Sequence, residues 1–139
     1  MSEENVEVVR RLFEEFQVGL ERGDPGAFLD SPTVADDYEW IFEDAELEGR
    51  SVWRGREGFV EFMRTWTEDF EGWSIQFELI DAGEDRVVAL THQSATGRKS
   101  SVPVELNVGQ VYELEAGRLA RVRNYLTHAE ALEAAGLPE

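Results

Sequence analysis

The segment Val102–Leu126 most constrains the fold, because its residues predict two apolar-rich strands joined by a tight turn. The turn is Glu115-Ala116-Gly117, in which glycine tolerates the backbone conformation that a short hairpin needs. The first strand, Val102–Leu114, would extend about 43 Å if it were straight, which is too long for a flat strand in a small domain. We therefore expect a bend in this strand, with a bulge at Gly109.

Two amphipathic helices are predicted upstream of the hairpin. The first has apolar residues at spacings of three and four from Val6 to Leu20 and ends at Gly23. The second begins near Gly55 and ends at Gly72. The other predicted elements are strands over Tyr38–Phe42, Trp73–Ile80, Arg86–Ala95 and Arg118–Leu126, a short helix over Pro25–Asp30, and a final helix from Thr127 to Gly136.

This order of elements, with four consecutive strands after the helices, predicts an α+β fold. We expect a strongly bent antiparallel sheet wrapped over the N-terminal helices. Such a sheet would form a cone-shaped barrel with a hollow inside it. A chain of 139 residues is expected to form one domain, over residues 1–139.

The charge balance argues against two classes of partner. The chain has 30 acidic and 13 basic residues, a net charge of −17. Such a field repels phosphate backbones and anionic lipids, so neither nucleic acid nor a membrane surface is an expected partner. No apolar run approaches the ~18 residues of a membrane-spanning helix. The acidic segment Met1–Glu4 lacks the basic and apolar parts of a signal peptide, which predicts a cytoplasmic protein.

Metal and cofactor sites are not expected. The sequence has no cysteine and only 2 histidines, which leaves too few ligands for a zinc site. The acidic run Glu43–Glu48 and the cluster Asp36–Glu39 lack the oxygen spacing and turn glycine of a calcium loop. The sequence contains no glycine-rich loop that would cradle phosphates, so we expect no cofactor.

Several short motifs follow one another along nearly the whole chain in the order of a known family. They are Asn5–Arg11, Glu21–Asp24, Ala35–Asp37, Arg54–Gly58, Leu114–Arg118 and Val122–Leu126. Together they resemble the SnoaL-like branch of the nuclear transport factor 2-like superfamily. The resemblance implies a cone-shaped α+β barrel that often forms a homodimer through the outer face of its sheet. Members include polyketide cyclases, ketosteroid isomerases, dehydratases and small-molecule binders, so function has to be argued from the site.

Alternation along the last hairpin predicts which side chains enter the hollow. The expected inward-facing residues are Gln110, Tyr112, Leu114, Val122, Asn124 and Leu126. The opposite face of the last strand carries Arg121, Arg123 and Tyr125. Two arginines on one face favour the outer side of the sheet or a contact between subunits.

Gln110 and Asn124 are the candidate polar contacts of a ligand. The resemblance to ketosteroid isomerases implies that Gln110 stands where that family has the protonated carboxylic acid of its oxyanion hole. An amide donates a hydrogen bond without any pKa shift, so the pair would orient a carbonyl or hydroxyl group. The alternative is a structural pair in which the two amides satisfy each other or the backbone.

The same comparison shows what an isomerase of this kind would need and this chain lacks. Phe16 stands where the isomerases have a tyrosine, and Phe42 stands where they have the carboxylate base. Glu43 is next to that position but on the opposite face of the strand. Because enolisation needs a base close to the substrate proton, ketosteroid isomerase activity is not expected.

His92 is the histidine within the predicted sheet and therefore the candidate acid–base group. It shares a strand face with Val88 and Leu90 and would act with Gln110 if that face were turned inward. The alternative is a histidine that is buried or lies at the surface without a catalytic role. His128, at the start of the final helix, is expected to be exposed.

These residues support two hypotheses. In the first, the protein binds or converts a small hydrophobic carbonyl compound, with cyclase- or isomerase-like chemistry assigned to His92 and Gln110. The ligand-binding residues would be Trp40, Phe42, Tyr112, Val122, Asn124 and Leu126. In the second, the protein is a non-catalytic small-molecule binder or a dimerising interaction module.

Overall fold

The computed structural model describes residues 2–43 and 51–138. The α-helices in these ranges are α1 (Ser2–Glu21), α2 (Gly55–Asp69) and α3 (His128–Ala134), with a short 3-10 helix at Ala27–Asp30. The strands are β1 (Val34–Phe42), β2 (Val52–Arg54), β3 (Phe70–Gly83), β4 (Arg86–Gly97), β5 (Pro103–Leu106), β6 (Gly109–Glu115) and β7 (Arg118–Tyr125). The acidic run that begins at Glu43 continues into residues 44–50, which lie outside the described residues.

The strands form one strongly curled sheet in the order β2-β1-β7-β6-β4-β3, with β5 paired to β4. The predicted α+β fold, a curled sheet wrapped over helices, is confirmed. The pairing of β1 with β7 is parallel and sets Trp40 beside Val122 and Phe42 beside Asn124. All other strand pairs in the described residues are antiparallel.

The core lies between the concave face of the sheet and the apolar faces of α1 and α2. Phe13 of α1 stacks on Phe77 of β3, with ring centroids 4.4 Å apart. Phe59 of α2 contacts Phe28 and Trp40 edge to face, at 5.1 and 5.0 Å. The spacing of apolar residues in both helices therefore places one continuous aromatic face against the sheet. Neither these helices nor α3 is both long and apolar enough to cross a membrane, within the described ranges.

The prediction of a single bent strand over Val102–Leu114 is wrong, because the chain forms two strands there. β5 ends at Leu106 and β6 begins at Gly109, and the two pair with different halves of β4. Gly109 has a packing role at this point. A Cβ added to it would lie 2.6 Å from Cβ of Ala131 and 2.8 Å from the carbonyl oxygen of Thr127. Glycine thus allows α3 to approach the sheet closely.

Helix α3 packs on the convex face of the sheet, outside the curl. Its capping residue is the predicted Thr127, whose hydroxyl accepts a hydrogen bond from the backbone N–H of Glu130 at 3.1 Å. Ala131 packs there in an apolar cluster that includes Val88. His128 is half-buried and not exposed as expected, because its Nε2 lies 2.8 Å from the carbonyl oxygen of Thr91.

An ion-pair ladder on the same convex face joins β6, β7 and the end of β1. Arg123 binds Glu43 at 2.7 Å and Glu113 at 3.0 Å. Arg121 binds Glu113 at 2.7 Å and Glu115 at 2.8 Å. The two arginines thus lie on the outer side of the sheet, as their alternation predicts.

We expect Glu113→Gln to lower stability at pH 7, by an amount that shrinks as the pH falls toward 3.5. Burial alone would raise the pKa of Glu113, but hydrogen bonds and charges from Arg121 and Arg123 outweigh it, and the pKa is held below its ordinary value of 4.5. A carboxyl with a lower pKa in the folded chain stabilises the fold above the unfolded pKa. It loses that contribution as the pH falls through the folded pKa. The loss at pH 7 should be about 1–2 kcal/mol.

Urea denaturation of the wild type and Glu113→Gln across this pH range measures the difference. Glu14→Gln, at an exposed position of α1, is the matched control. A difference between the wild type and Glu113→Gln that stays constant from pH 7 to pH 3.5 would contradict the role of the ladder.

Candidate functional site

A cavity of about 200 Å³ lies between the concave face of the sheet and helices α1 and α2; we name it the inner cavity. Its lining is Leu12, Phe13, Phe16, Leu20, Phe28, Trp40, Phe42, Phe59, Phe62, Met63, Trp66, Trp73, Ile75, Gln93, Leu106, Val108, Gln110, Tyr112, Asn124 and Leu126. Leu126 is 60% exposed and Leu106 is also exposed, so these two residues mark an opening to solvent. The wall is mainly aromatic and aliphatic, which favours an apolar occupant.

Three buried polar side chains in this wall form a chain of hydrogen bonds. The Tyr112 hydroxyl donates to Oε1 of Gln110, and Nε2 of Gln110 donates to Oδ1 of Asn124, each at 2.9 Å. Nδ2 of Asn124 donates to the carbonyl oxygen of Ile41, also at 2.9 Å. The register of the sheet explains the chain, because Asn124 lies directly opposite both Gln110 and Phe42. The two amides thus satisfy each other and the backbone, as the structural alternative expects.

The wall nevertheless keeps hydrogen-bonding capacity for a ligand. Each primary amide has two N–H groups, and Gln110 and Asn124 each use one of them in this chain. Trp40 and Trp73 also line the cavity, and their indole N–H groups are buried without a hydrogen-bond partner among the described residues. These are donors, so the wall suits a ligand with an acceptor such as a carbonyl or hydroxyl oxygen.

Tyr112 is the one ionisable side chain among the described residues of the wall. Burial raises its pKa far above the ordinary value of 10.0, so the hydroxyl stays neutral near pH 7. The pKa of Tyr38, in the core nearby, is also raised by burial and by the proximity of Tyr112. At neutral pH the described wall therefore offers hydrogen bonds, and no group with a pKa near neutrality to exchange a proton with a ligand.

His92 does not face the inner cavity. Its side chain is 43% exposed, and its Nδ1 lies 2.6 Å from Oδ1 of Asn107. His92 shares its strand face with Val88 and Leu90, as predicted, but that face packs against α3 on the convex side. The neighbouring Gln93, on the other face of β4, lines the cavity instead. Of the two alternatives left open for His92, the structure supports a side chain outside the cavity, because α3 covers a second apolar face of β4.

The structure brings most of the other predicted contacts together. Trp40, Phe42 and Leu126 line the inner cavity with the three residues of the hydrogen-bond chain. Val122 faces inward but belongs to the packed core and does not line the cavity. The catalytic and binding roles of all these residues stay predictions. Within the described ranges no cluster of three or more acidic or histidine side chains is placed to hold a metal ion.

Sequence reasoning did not assign Gln93, Trp66 or Trp73 to the cavity. The sequence position of Gln93 could have indicated its place, because it lies two residues after Thr91 and therefore on the same face of β4. In the structure its Nε2 donates to the hydroxyl of the buried Thr91 at 3.1 Å. The positions of the two tryptophans give no such indication, because aromatic residues at such spacings fill a core as readily as they line a pocket.

The sequence matches the model of a known protein family. The model of the SnoaL-like domain matches residues 9–122, and the chain belongs to this family. No match was found among curated proteins.

Solved structures agree with this assignment. One is a Jannaschia sp. CCS1 protein described as a candidate SnoaL-like polyketide cyclase, with a TM-score of 0.73, 20% identity, and coverage of 99% of this chain and 95% of that one. A second is a Burkholderia pseudomallei protein of unknown function, described as NTF2-like, with a TM-score of 0.70, 22% identity, and coverage of 94% and 95%. A third is a candidate isomerase from Bacillus subtilis, with a TM-score of 0.68, 16% identity, and coverage of 96% and 94%. At these identities the likeness shows the fold alone.

Proposed function

We propose that this protein binds a small, mostly apolar molecule carrying a carbonyl or hydroxyl oxygen, inside the inner cavity. The observation that carries the proposal is a mainly apolar wall that includes the neutral Tyr112–Gln110–Asn124 chain and two tryptophans whose buried indole N–H groups have no hydrogen-bond partner among the described residues. Binding is favoured over conversion because Tyr112, the ionisable group of the described wall, stays neutral near pH 7. The relatives described as a polyketide cyclase and an isomerase make conversion of the same class of molecule the reaction to assay.

Two physical terms would drive the binding. Each CH₂ group moved from water into the cavity contributes about 0.8 kcal/mol. The buried indole N–H of Trp40 has no partner among the described residues, and a buried donor in that state costs about 1–3 kcal/mol. A ligand oxygen that accepts this hydrogen bond would remove that cost, so the site favours an apolar molecule with one well-placed oxygen.

We expect Trp40→Phe to weaken binding of a ketone without weakening binding of the matched hydrocarbon. The change removes the indole N–H and keeps an aromatic ring in the wall. The dissociation constant of 2-octanone should rise about three- to tenfold, the effect of one neutral hydrogen bond. That of octane should stay within about twofold of wild type, since octane accepts no hydrogen bond. Isothermal titration calorimetry measures both.

The matched control is Trp53→Phe, a buried tryptophan that does not line the cavity. It should leave the ratio of the two dissociation constants unchanged. If neither probe binds the wild type, the proposed function is wrong. If Trp40→Phe weakens both probes equally, the cavity binds apolar molecules but Trp40 does not recognise the oxygen.

We also propose that the chain forms a homodimer through the convex face of its sheet. Family likeness supports this, as does the position of the partly exposed Arg121, Arg123 and Tyr125 on that face. Light scattering at micromolar concentration should give twice the mass of one chain. The mass of a single chain would contradict the proposal.

A further inference from the structure

A second space adjoins the inner cavity. It is a groove of about 500 Å³ between the C-terminal ends of α1 and α2 and the start of β3, and we name it the side groove. Leu20, Trp73 and Ile75 line both the inner cavity and the side groove. The two spaces are thus separated by a wall of single side chains, and Trp73 is the largest of them.

Trp73 reaches this wall through an irregularity of β3. The register between β3 and β4 shifts between Glu71 and Ser74, and Gly72 has a φ of 68° within the shift. Such a bulge redirects the side chain that follows it. The indole of Trp73 packs edge to face against Trp66 and Phe70, each at 6.1 Å between ring centroids. Its position therefore depends on a local backbone feature and on two ring contacts.

The side groove is more polar than the inner cavity. Nε2 of Gln17 donates to the carbonyl oxygen of Ile75 at 2.9 Å, which leaves the Gln17 side-chain oxygen as an acceptor. Arg98 donates to the carbonyl oxygen of Thr67 at 2.9 Å and to Glu71 at 3.1 Å. The groove therefore offers hydrogen-bonding groups. Because its arginine is already paired with Glu71, the groove suits a neutral polar group such as a hydroxyl better than an anion.

We propose that the inner cavity and the side groove are two compartments of one elongated ligand site, divided at Trp73. The inner cavity takes the apolar, carbonyl-bearing body of the ligand, and the side groove takes a hydroxyl at its far end. The proposal rests on the proposed function of the inner cavity. The buried indole N–H of Trp73, without a partner among the described residues, supplies a donor where the ligand crosses.

Two probe series test this: straight-chain 2-alkanones of increasing length, and the same ketones with a hydroxyl on the last carbon. A short hydroxyketone whose carbonyl occupies the polar part of the wall would bury its hydroxyl against the aromatic and aliphatic part, and it should bind about tenfold or more weakly than the plain ketone. A hydroxyketone long enough to reach the side groove should bind within about twofold of the plain ketone. The wild type should therefore show a threshold length at which the penalty disappears.

Trp73→Ala should move this threshold to shorter chains, because the dividing side chain is removed. Trp73→Phe should move the threshold less, in the same direction. This variant replaces Trp73→Ala in the test if Trp73→Ala does not fold. Val18→Ala, at an exposed position of α1 outside both spaces, should leave the threshold in place.

Three results would overturn the proposal. A hydroxyl penalty that persists at every length means that the side groove is not reached. A threshold that moves in Leu126→Ala but not in the Trp73 variants means that the far end leaves through the opening at Leu126. Failure of every plain ketone to bind the wild type removes the proposed function itself, and this outcome is distinct from the other two.

Discussion

Replacing Phe59 by Ala is expected to lower the free energy of unfolding by about 3–5 kcal/mol. Phe59 is 1% exposed, and its ring lies within 6.4 Å of the rings of Phe28, Tyr38 and Trp40. Removing it deletes a large apolar surface from the core. It also leaves a space that merges with the inner cavity, which Phe59 already lines. Urea denaturation measures the loss.

The control for this prediction is Leu126→Ala, at a side chain that is 60% exposed. That change should cost less than about 1 kcal/mol, because little apolar surface leaves the core. A second measurement tests the enlarged space directly. Toluene should stabilise Phe59→Ala more than the wild type, since a ligand stabilises the form that binds it. A loss below about 1 kcal/mol in Phe59→Ala would contradict the packing described for the aromatic core.

Gln110→Leu is expected to lower the free energy of unfolding by about 2–4 kcal/mol. The change leaves two buried groups without partners: the hydroxyl of Tyr112 loses its acceptor, and Oδ1 of Asn124 loses its donor. Asn124 is 1% exposed, so water does not replace the lost bond without a rearrangement. The cost therefore comes mainly from the two stranded groups.

A double-mutant cycle separates this cause from a change of shape. Tyr112→Phe alone should cost about 1 kcal/mol, because it removes one hydrogen bond. Gln110→Leu combined with Tyr112→Phe should cost less than the sum of the two single changes, since the stranded hydroxyl is then absent. Additive losses would contradict a coupled hydrogen-bond chain.

Alternation predicted the cavity-facing side of the last hairpin well but failed for β4. On β6 and β7 one face carries the uncharged amides Gln110 and Asn124, and the other carries the charged Arg121 and Arg123. The charge therefore distinguishes the outer face from the inner one. On β4 both faces are apolar, because α3 packs outside Val88. The alternation around His92 correctly predicted that His92 shares a strand face with Val88 and Leu90. It contained no information about which face of β4 the helices α1 and α2 cover.

For the polar residues of the cavity too, the sequence predicted one part of the arrangement and the tertiary structure decided the other. The choice of Gln110 and Asn124 came from their positions on adjacent strands and from family resemblance. Their mutual hydrogen bond and the bond from Asn124 to Ile41 depend on the register of three strands. The lack of a hydrogen-bond partner for the indole N–H of Trp40 among the described residues depends on what surrounds the ring. Satisfied and unsatisfied donors look alike in a sequence, since the difference lies in distances between residues far apart in the chain.

The sequence by itself determined the local structure: the helical faces of α1 and α2, the hairpin turn at Ala116-Gly117 and the cap at Thr127. These depend on residues within a few positions of one another, where periodicity and backbone preference act directly. Only the tertiary structure decided the parallel pairing of β1 with β7 and the close approach of α3 at Gly109. These contacts join distant segments, and their free energy comes from burial and packing that no local pattern records.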